Sequence, residues 1–213
     1  MHVRVKICGI TDAAALRAAV EGGADAVGFV FAGSPRAVIP HVAAALADSL
    51  PPYVSPVAVF ARPTREELSA VLEVFRPDWI QADFEAEGGV PPRYRSRFLP
   101  VFRARPGIEE EVERYLGASP PAGGAFVLDG PVSGSGEPVD WETASRLARR
   151  APLVLAGGLT PENVGEAIRT VRPYAVDVSS GVESEPGRKD PAKIAAFLEA
   201  VREAERELRG EQA

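Results

Sequence analysis

Short apolar runs with strand-like alternation are followed, again and again, by longer runs with helical spacing. "VRVKICG" leads into "DAAALRAAVEGG", "AVGFVF" into "PHVAAALADSL", and "SPVAVFA" into "TREELSAVLEVF". "DWIQAD" precedes a proline-rich stretch, "FEAEGGVPPRYRSR", that offers at most a short helix. Then come "FLPVFRA" with "IEEEVERYLG", "AFVLD" with "DWETASRLARR", "LVLAGG" with "PENVGEAIRTV", and "AVDVSSG" with "PAKIAAFLEAVREAERELRG". Eight strand–helix units at ~27 residues each fit the compact end of the (β/α)8 size range. No linker or composition shift divides the chain, so the expectation is one α/β domain over residues 1–213. Its architecture would be a (β/α)8 TIM barrel with a weak or short helix after strand four. An open doubly wound sheet shares the alternation, but no G-x-G-x-x-G follows the first strand.

Helix boundaries support these units. Thr64 with Glu67 makes a capping box. Thr160-Pro161 and Asp190-Pro191 each place a capping side chain before a proline at the first helical position. Gly22-Gly23 ends the first helix. Alternation along the first strand puts Arg4, Lys6 and Cys8 on one face and Val3, Val5 and Ile7 on the other. The apolar trio faces the helices, which turns Lys6 and Cys8 toward the barrel axis.

Composition narrows the function. The formal net charge is −6 with both signs interspersed, and no basic stripe suited to nucleic acid is visible. One cysteine forms no internal disulfide, no secretory h-region opens the chain, and no apolar run is long enough to span a bilayer. The expectation is a soluble cytoplasmic protein, monomer or homodimer, with neither a nucleic-acid nor a membrane partner. His2 and His41 stand at a terminus and a helix start, which suggests neither a metal site nor a nucleophilic triad.

In a barrel the chemistry lies at the C-terminal strand ends and the loops beyond them. Cys8 ends the first strand, above an inward Lys6 that would favour its thiolate. Read alone, a lone cysteine is more often a buried small hydrophobe. Asp129 ends an apolar run, and the glycine-serine loop 130–136 that follows it is able to fold over a ligand. Asp177 and Ser179 share the inward face of the last strand. Gly157 and Gly158, with Ser179, Ser180 and Gly181, provide amides and hydroxyls after strands seven and eight, the usual phosphate site of this fold. Arg36, after the second strand, is either a solvated arginine or a bidentate partner for a substrate carboxylate.

These stretches together resemble the phosphoribosylanthranilate isomerase family. They are "KICGIT" (6–11), "GADAVGFVF" (23–31) with "SPR" (34–36), "VAVF" (57–60), "LD" (128–129), "SGSG…DW" (133–141), "LAGGLTPENV" (155–164), and "VDVSSGVE" (176–183) with "GRKD" (187–190). The resemblance runs from residue 3 to about residue 200. It implies a barrel enzyme of tryptophan biosynthesis that performs a cofactor-free Amadori rearrangement of N-(5′-phosphoribosyl)anthranilate. It also implies Cys8 as general base, Asp129 as general acid and Arg36 as the holder of the anthranilate carboxylate. One departure stands out. The family reads Q-L-H-G after strand four, whereas this chain has "QADF" (81–84), with Asp83 at the histidine position. Asp83 would add negative charge near a dianionic substrate, and nothing is carried over from the fifth unit.

The chemistry asks for a protonated Asp129, raised by its apolar strand end and neighbouring acids, and a Cys8 thiolate, lowered by Lys6. The histidine-pathway phosphoribosyl isomerases run the same rearrangement, but resemblance to them would require an aspartate in place of Cys8 and two-half internal symmetry. A barrel that only binds a sugar phosphate would keep the glycine-serine clamp without needing both Cys8 and Asp129.

Overall fold

The computed structural model describes residues 2–118, 120, 122–132 and 139–210. Eight parallel strands form a closed barrel in chain order: β1 (Arg4–Cys8), β2 (Ala26–Val30), β3 (Ser55–Val59), β4 (Trp79–Asp83), β5 (Phe98–Arg103), β6 (Phe126–Asp129), β7 (Leu153–Leu155) and β8 (Ala175–Val178). Lys6 pairs with Asp177 of β8 and Cys8 with Gly28 of β2, and β1 thereby closes the ring. The intervening helices are α1 (Ala13–Glu21), α2 (Pro40–Ala47), α3 (Arg65–Val74), α4 (Ile108–Gly117), α5 (Trp141–Ala148), α6 (Val164–Val171) and α7 (Pro191–Gly210). After β4 the chain makes two 3-10 helices, Phe84–Gly89 and Pro92–Arg97, in place of an α-helix. The prolines at 91 and 92 and the glycines at 88 and 89 account for that, since neither sustains helix propagation.

Capping follows the sequence at most helix starts. Thr64 and Glu67 form the reciprocal box on α3, and Asp190 accepts from the amides of Ala192 and Lys193 at the start of α7. Gly22 closes α1, its amide donating to Ala18 O. The seventh unit corrects the expectation: α6 begins at Val164, not at Pro161. Asn163 Oδ1 accepts from the Thr160 amide and its Nδ2 donates to Gly158 O, both at 2.8 Å, so residues 160–163 are wound into a turn.

Outward strand residues such as Ile7, Phe29, Ile80, Phe102 and Leu128 join the helices in one apolar layer. Inside, Val101, Val127, Val154, Ala156 and Ala175 plug the barrel. Inward positions nearer the C-terminal ends are polar: Lys6, Gln81, Asp83 and Asp177 are all buried there. Burial of that many polar groups is tolerated only where they pair, and their pairing forms the floor of the site described next. Among the described residues no helix is long and apolar enough to cross a membrane.

Candidate active site

The C-terminal strand ends enclose a cavity of about 460 Å³. Cys8, Arg36, Asp129, Gly157, Gly158, Asp177, Ser179 and Ser180 line it, so residues far apart in the chain meet there. Gly181 stands behind this lining. A Cβ on it would sit 1.9 Å from Leu159 O, so its role is to let the β8 turn close against the β7 loop. Of the loop 130–136, Gly130, Pro131 and Val132 belong to the described residues, and residues 133–136 lie outside them.

Cys8 is buried, and space for its sulfur comes from the neighbouring strand. A Cβ at Gly28 would lie 2.9 Å from Cys8 Sγ and 3.1 Å from Lys6 Cε. Lys6 Nζ donates to Asp177 Oδ2 at 2.7 Å, and both side chains are almost fully buried. Burial works to lower Lys6, but Asp177 and the thiol outweigh it and its pKa rises. For Cys8, burial pushes the thiol up. Lys6 and Lys189 pull it down, Asp177 pushes it further up, and the result lies above the ordinary thiol value. The expectation that Lys6 yields a lowered thiol is thereby corrected. Its pull is present, but the ammonium is shared with Asp177 and burial disfavours the thiolate.

Across the cavity, Asp129 Oδ1 accepts from the Gly130 amide at 2.8 Å and Oδ2 from Arg103 Nη1 at 2.5 Å. Burial raises its pKa, the Arg103 and Gly130 donors oppose this, Asp177 adds to it, and the net direction is upward. Arg103 went unnoticed in the sequence because the fifth unit matches no motif. The same guanidinium donates to Asp83 Oδ1 through Nη2 at 2.6 Å and Nε at 3.1 Å, and Arg62 Nε approaches Asp83 Oδ2 at 3.4 Å. Asp83, which the sequence suggested would add negative charge near the substrate, therefore meets arginines on two sides.

At the opposite corner, Gly157 and Gly158 take φ of 80° and 66°, a conformation that Cβ-bearing residues rarely adopt. Asn163, through Gly158 O, holds them there. The amides of Gly157, Gly158 and Ser180 donate to no other described residue. Ser179 Oγ donates to Cys8 O and accepts from Lys189 Nζ, which ties the β8 turn to the end of β1. Arg36 donates to Glu183 through Nε at 2.8 Å and Nη2 at 2.9 Å, leaving Nη1 without a partner among the described residues. Burial acts to raise Glu183, but Arg36 and Lys189 prevail and its carboxyl lies below the usual carboxylate range. Glu183 and Lys189 sat inside the quoted motifs, yet no local pattern marked them as partners of Arg36. On the floor, Asp177 Oδ1 and Gln81 Oε1 are buried acceptors without a donor among the described residues.

The chain is similar to known proteins along nearly its whole length. The family model for N-(5′-phosphoribosyl)anthranilate (PRA) isomerase matches residues 5–200. An N-(5′-phosphoribosyl)anthranilate isomerase of Pseudomonas putida is 45% identical over 211 residues, covering 95% of this chain and 99% of that protein. The crystal structure of phosphoribosyl anthranilate isomerase from Thermus thermophilus superposes with a TM-score of 0.80 at 36% identity, covering 94% of this chain and 99% of that one. Another isomerase structure, in complex with reduced 1-(o-carboxyphenylamino)-1-deoxyribulose 5-phosphate, superposes with a TM-score of 0.79 at 36% identity, covering 95% and 100%. With the barrel, the strand-end thiol and the amide corner all in view, the chain belongs to the N-(5′-phosphoribosyl)anthranilate isomerase family.

Proposed function

We propose that this protein converts N-(5′-phosphoribosyl)anthranilate into 1-(2-carboxyphenylamino)-1-deoxyribulose 5-phosphate, an Amadori rearrangement of tryptophan biosynthesis, with Asp129 as general acid and Cys8 as general base. The observation that carries this reading is one cavity holding a buried thiol on β1 and a buried, arginine-held carboxyl on β6. Two such groups meet the need of the reaction, which gives a proton to the ring oxygen and takes one from C2′, the two atoms on either side of C1′.

Asp129 donates to the furanose ring oxygen. The C1′–O bond breaks with its electrons going to that oxygen, and the nitrogen lone pair forms the C1′=N bond. Cys8 as thiolate then removes the C2′ proton, and the enolamine that results tautomerises to the ketone. The unpaired amides of Gly157, Gly158 and Ser180 receive the phosphate, with Gly181 allowing the turn that presents them. Arg36, steadied by Glu183, turns its remaining donor to the anthranilate carboxylate. Asp177 Oδ1, buried at the cavity floor without a donor, accepts a hydroxyl of the ribose. Anchoring both ends sets the C2′ proton against the sulfur before reaction.

Burial pushes both groups up, which favours the acid form of Asp129 that the reaction needs and opposes the thiolate of Cys8. The working form is thiolate with carboxylic acid, so both pKa values govern the rate. The chain acts as one domain, as a monomer or a homodimer, on a small-molecule substrate in the cytoplasm. The test generates phosphoribosylanthranilate in situ from anthranilate and follows loss of its fluorescence. Persistent fluorescence with folded protein present would overturn the reading.

A further inference from the structure

Asp83 occupies a buried, inward position that the rearrangement does not use, yet it is bound into the site. The register explains how. Arg103 lies directly opposite Asp129 where β5 pairs with β6, and Asp83 lies opposite Val101, one inward position earlier on β5. The Arg103 guanidinium spans both carboxyls: Nη1 reaches Asp129 at 2.5 Å, while Nη2 and Nε reach Asp83 at 2.6 and 3.1 Å. A planar guanidinium held at three nitrogens has no freedom to rotate, which an ammonium on a flexible stem would retain.

We propose that Asp83 and Arg103 are positioning residues for Asp129: Asp83 anchors the guanidinium, and Arg103 aims the Asp129 carboxyl at the ring oxygen and neutralises it as its proton departs. This rests on Asp129 being the general acid. As that proton moves to the ring oxygen, the C1′–O bond pair goes to the same oxygen and the carboxyl is left with a full negative charge. Arg103 is already in place to meet it, so no reorganisation accompanies the transfer. Asp83 takes up part of the guanidinium charge and keeps Arg103 from holding Asp129 permanently ionised. The charges facing Asp129 are Arg103 from β5, Asp83 beyond it on β4, and Asp177 on β8 with Lys6 of β1 bound behind it. Arg62, from the β3–α3 loop, acts on the outer oxygen of Asp83. β7 contributes the apolar Val154 and Ala156.

The test is the pH profile of kcat. One limb inflects at Cys8 and the other at Asp129; the pH dependence of Cys8 alkylation fixes the first, and the limb apart from it is that of Asp129. Asp83→Asn gives Arg103 wholly to Asp129. The Asp129 limb moves to lower pH, while KM changes by less than about twofold. Asp83→His, neutral or cationic, moves the limb in the same direction. Arg103→Lys loses the three-point bridge and moves the limb the opposite way, to higher pH. Opposite displacements from the two halves of the bridge are something a merely structural role would not produce. Limbs that stay with the parent's, displacements of one sign in all three variants, or losses confined to KM would each overturn the inference. Should Asp83→Asn not fold, Asp83→His and Arg103→Lys carry the same comparison. Asp129→Asn is measured alongside. If it keeps near-parental turnover, the acid assignment falls and this inference with it. If it is inactive while the limbs stay unmoved, the positioning role alone falls.

Discussion

Gly28→Ala tests whether the placement of the Cys8 sulfur matters as the mechanism requires. A methyl group at this position would meet Cys8 Sγ at 2.9 Å, Lys6 Cε at 3.1 Å and Cys8 Cα at 3.2 Å, where ordinary contact starts at 3.4 Å. The sulfur must retreat by roughly half an ångström, or β2 must move away from β1, because packed interiors have no slack to absorb the methyl. Misplacement of a reacting group by about 1 Å costs on the order of 10²-fold in rate, so half of that should lower kcat by about tenfold. The amides of Gly157 and Gly158 follow β7, and Arg36 is tied to Glu183 beyond β8, so KM should change far less than kcat. Overpacking should cost about 1–3 kcal/mol of stability, or a Tm lower by about 2–12 °C for a chain of this size. Steady-state kinetics and calorimetry read both effects. Gly88→Ala, where a Cβ meets nothing within 4 Å, is the control for a generic glycine effect. If Gly28→Ala keeps kcat within about twofold of the parent while its Tm falls, the sulfur's position does not limit the reaction and Cys8 is not the base.

Cys8→Ala and Asp129→Asn should each lower kcat by roughly 10²–10⁴-fold with folding preserved, as measured on purified protein by the fluorescence assay and circular dichroism. Alkylation of Cys8 by iodoacetamide should rise with pH along an inflection above the 9.0 of a solvated thiol, because burial prevails over Lys6; an inflection below that value would contradict the burial argument. Glu183→Gln leaves Arg36 and a fully buried Lys189 without their carboxylate and should destabilise the protein by about 3–5 kcal/mol in chemical denaturation at neutral pH. The sign with pH follows from a folded-state pKa that lies below the unfolded 4.5: the contribution of Glu183 is present above that value and is lost as pH falls through the folded one, so the parent and Glu183→Gln stabilities should converge in acid.

The barrel could be read from the sequence because every strand is an apolar run and most helices carry a local start signal, such as Thr64 with Glu67 or Asp190 with Pro191. The seventh unit misled because Thr160-Pro161 satisfies the same rule. What decides there is Asn163, whose side chain folds back onto Thr160 and Gly158, and residue preference alone does not announce such a turn. Cys8 and Asp129 were visible for a plain reason, since a polar residue ending an apolar strand points into the mouth of the barrel. Arg103 also ends a strand, but an arginine there reads equally well as solvated. Only once β5 pairs with β6 does it face Asp129. Lys6 was seen as a neighbour of Cys8, yet the residue that takes most of its charge is 171 positions away. Proximity along the strand was legible, whereas competition for the charge depended on closure of the ring.

That competition bears on how the site meets an anionic substrate. Four cations, Lys6, Arg36, Arg103 and Lys189, are bonded to four carboxyls, Asp177, Glu183, Asp129 and Asp83. With Cys8 added to the count, a thiolate beside a protonated Asp129 carries the same total charge as a thiol beside a carboxylate, so the working pair builds up no net charge in the buried site. The same balance leaves no surplus cation in this set to attract phosphate and carboxylate over a distance. Recognition therefore falls to N–H groups that the fold holds unpaired: the amides of Gly157, Gly158 and Ser180 at one end, and Nη1 of Arg36 at the other. Such donors act at contact and along fixed directions. They hold the substrate at two points while leaving the electrostatics between Cys8 and Asp129 to the buried pairs beneath.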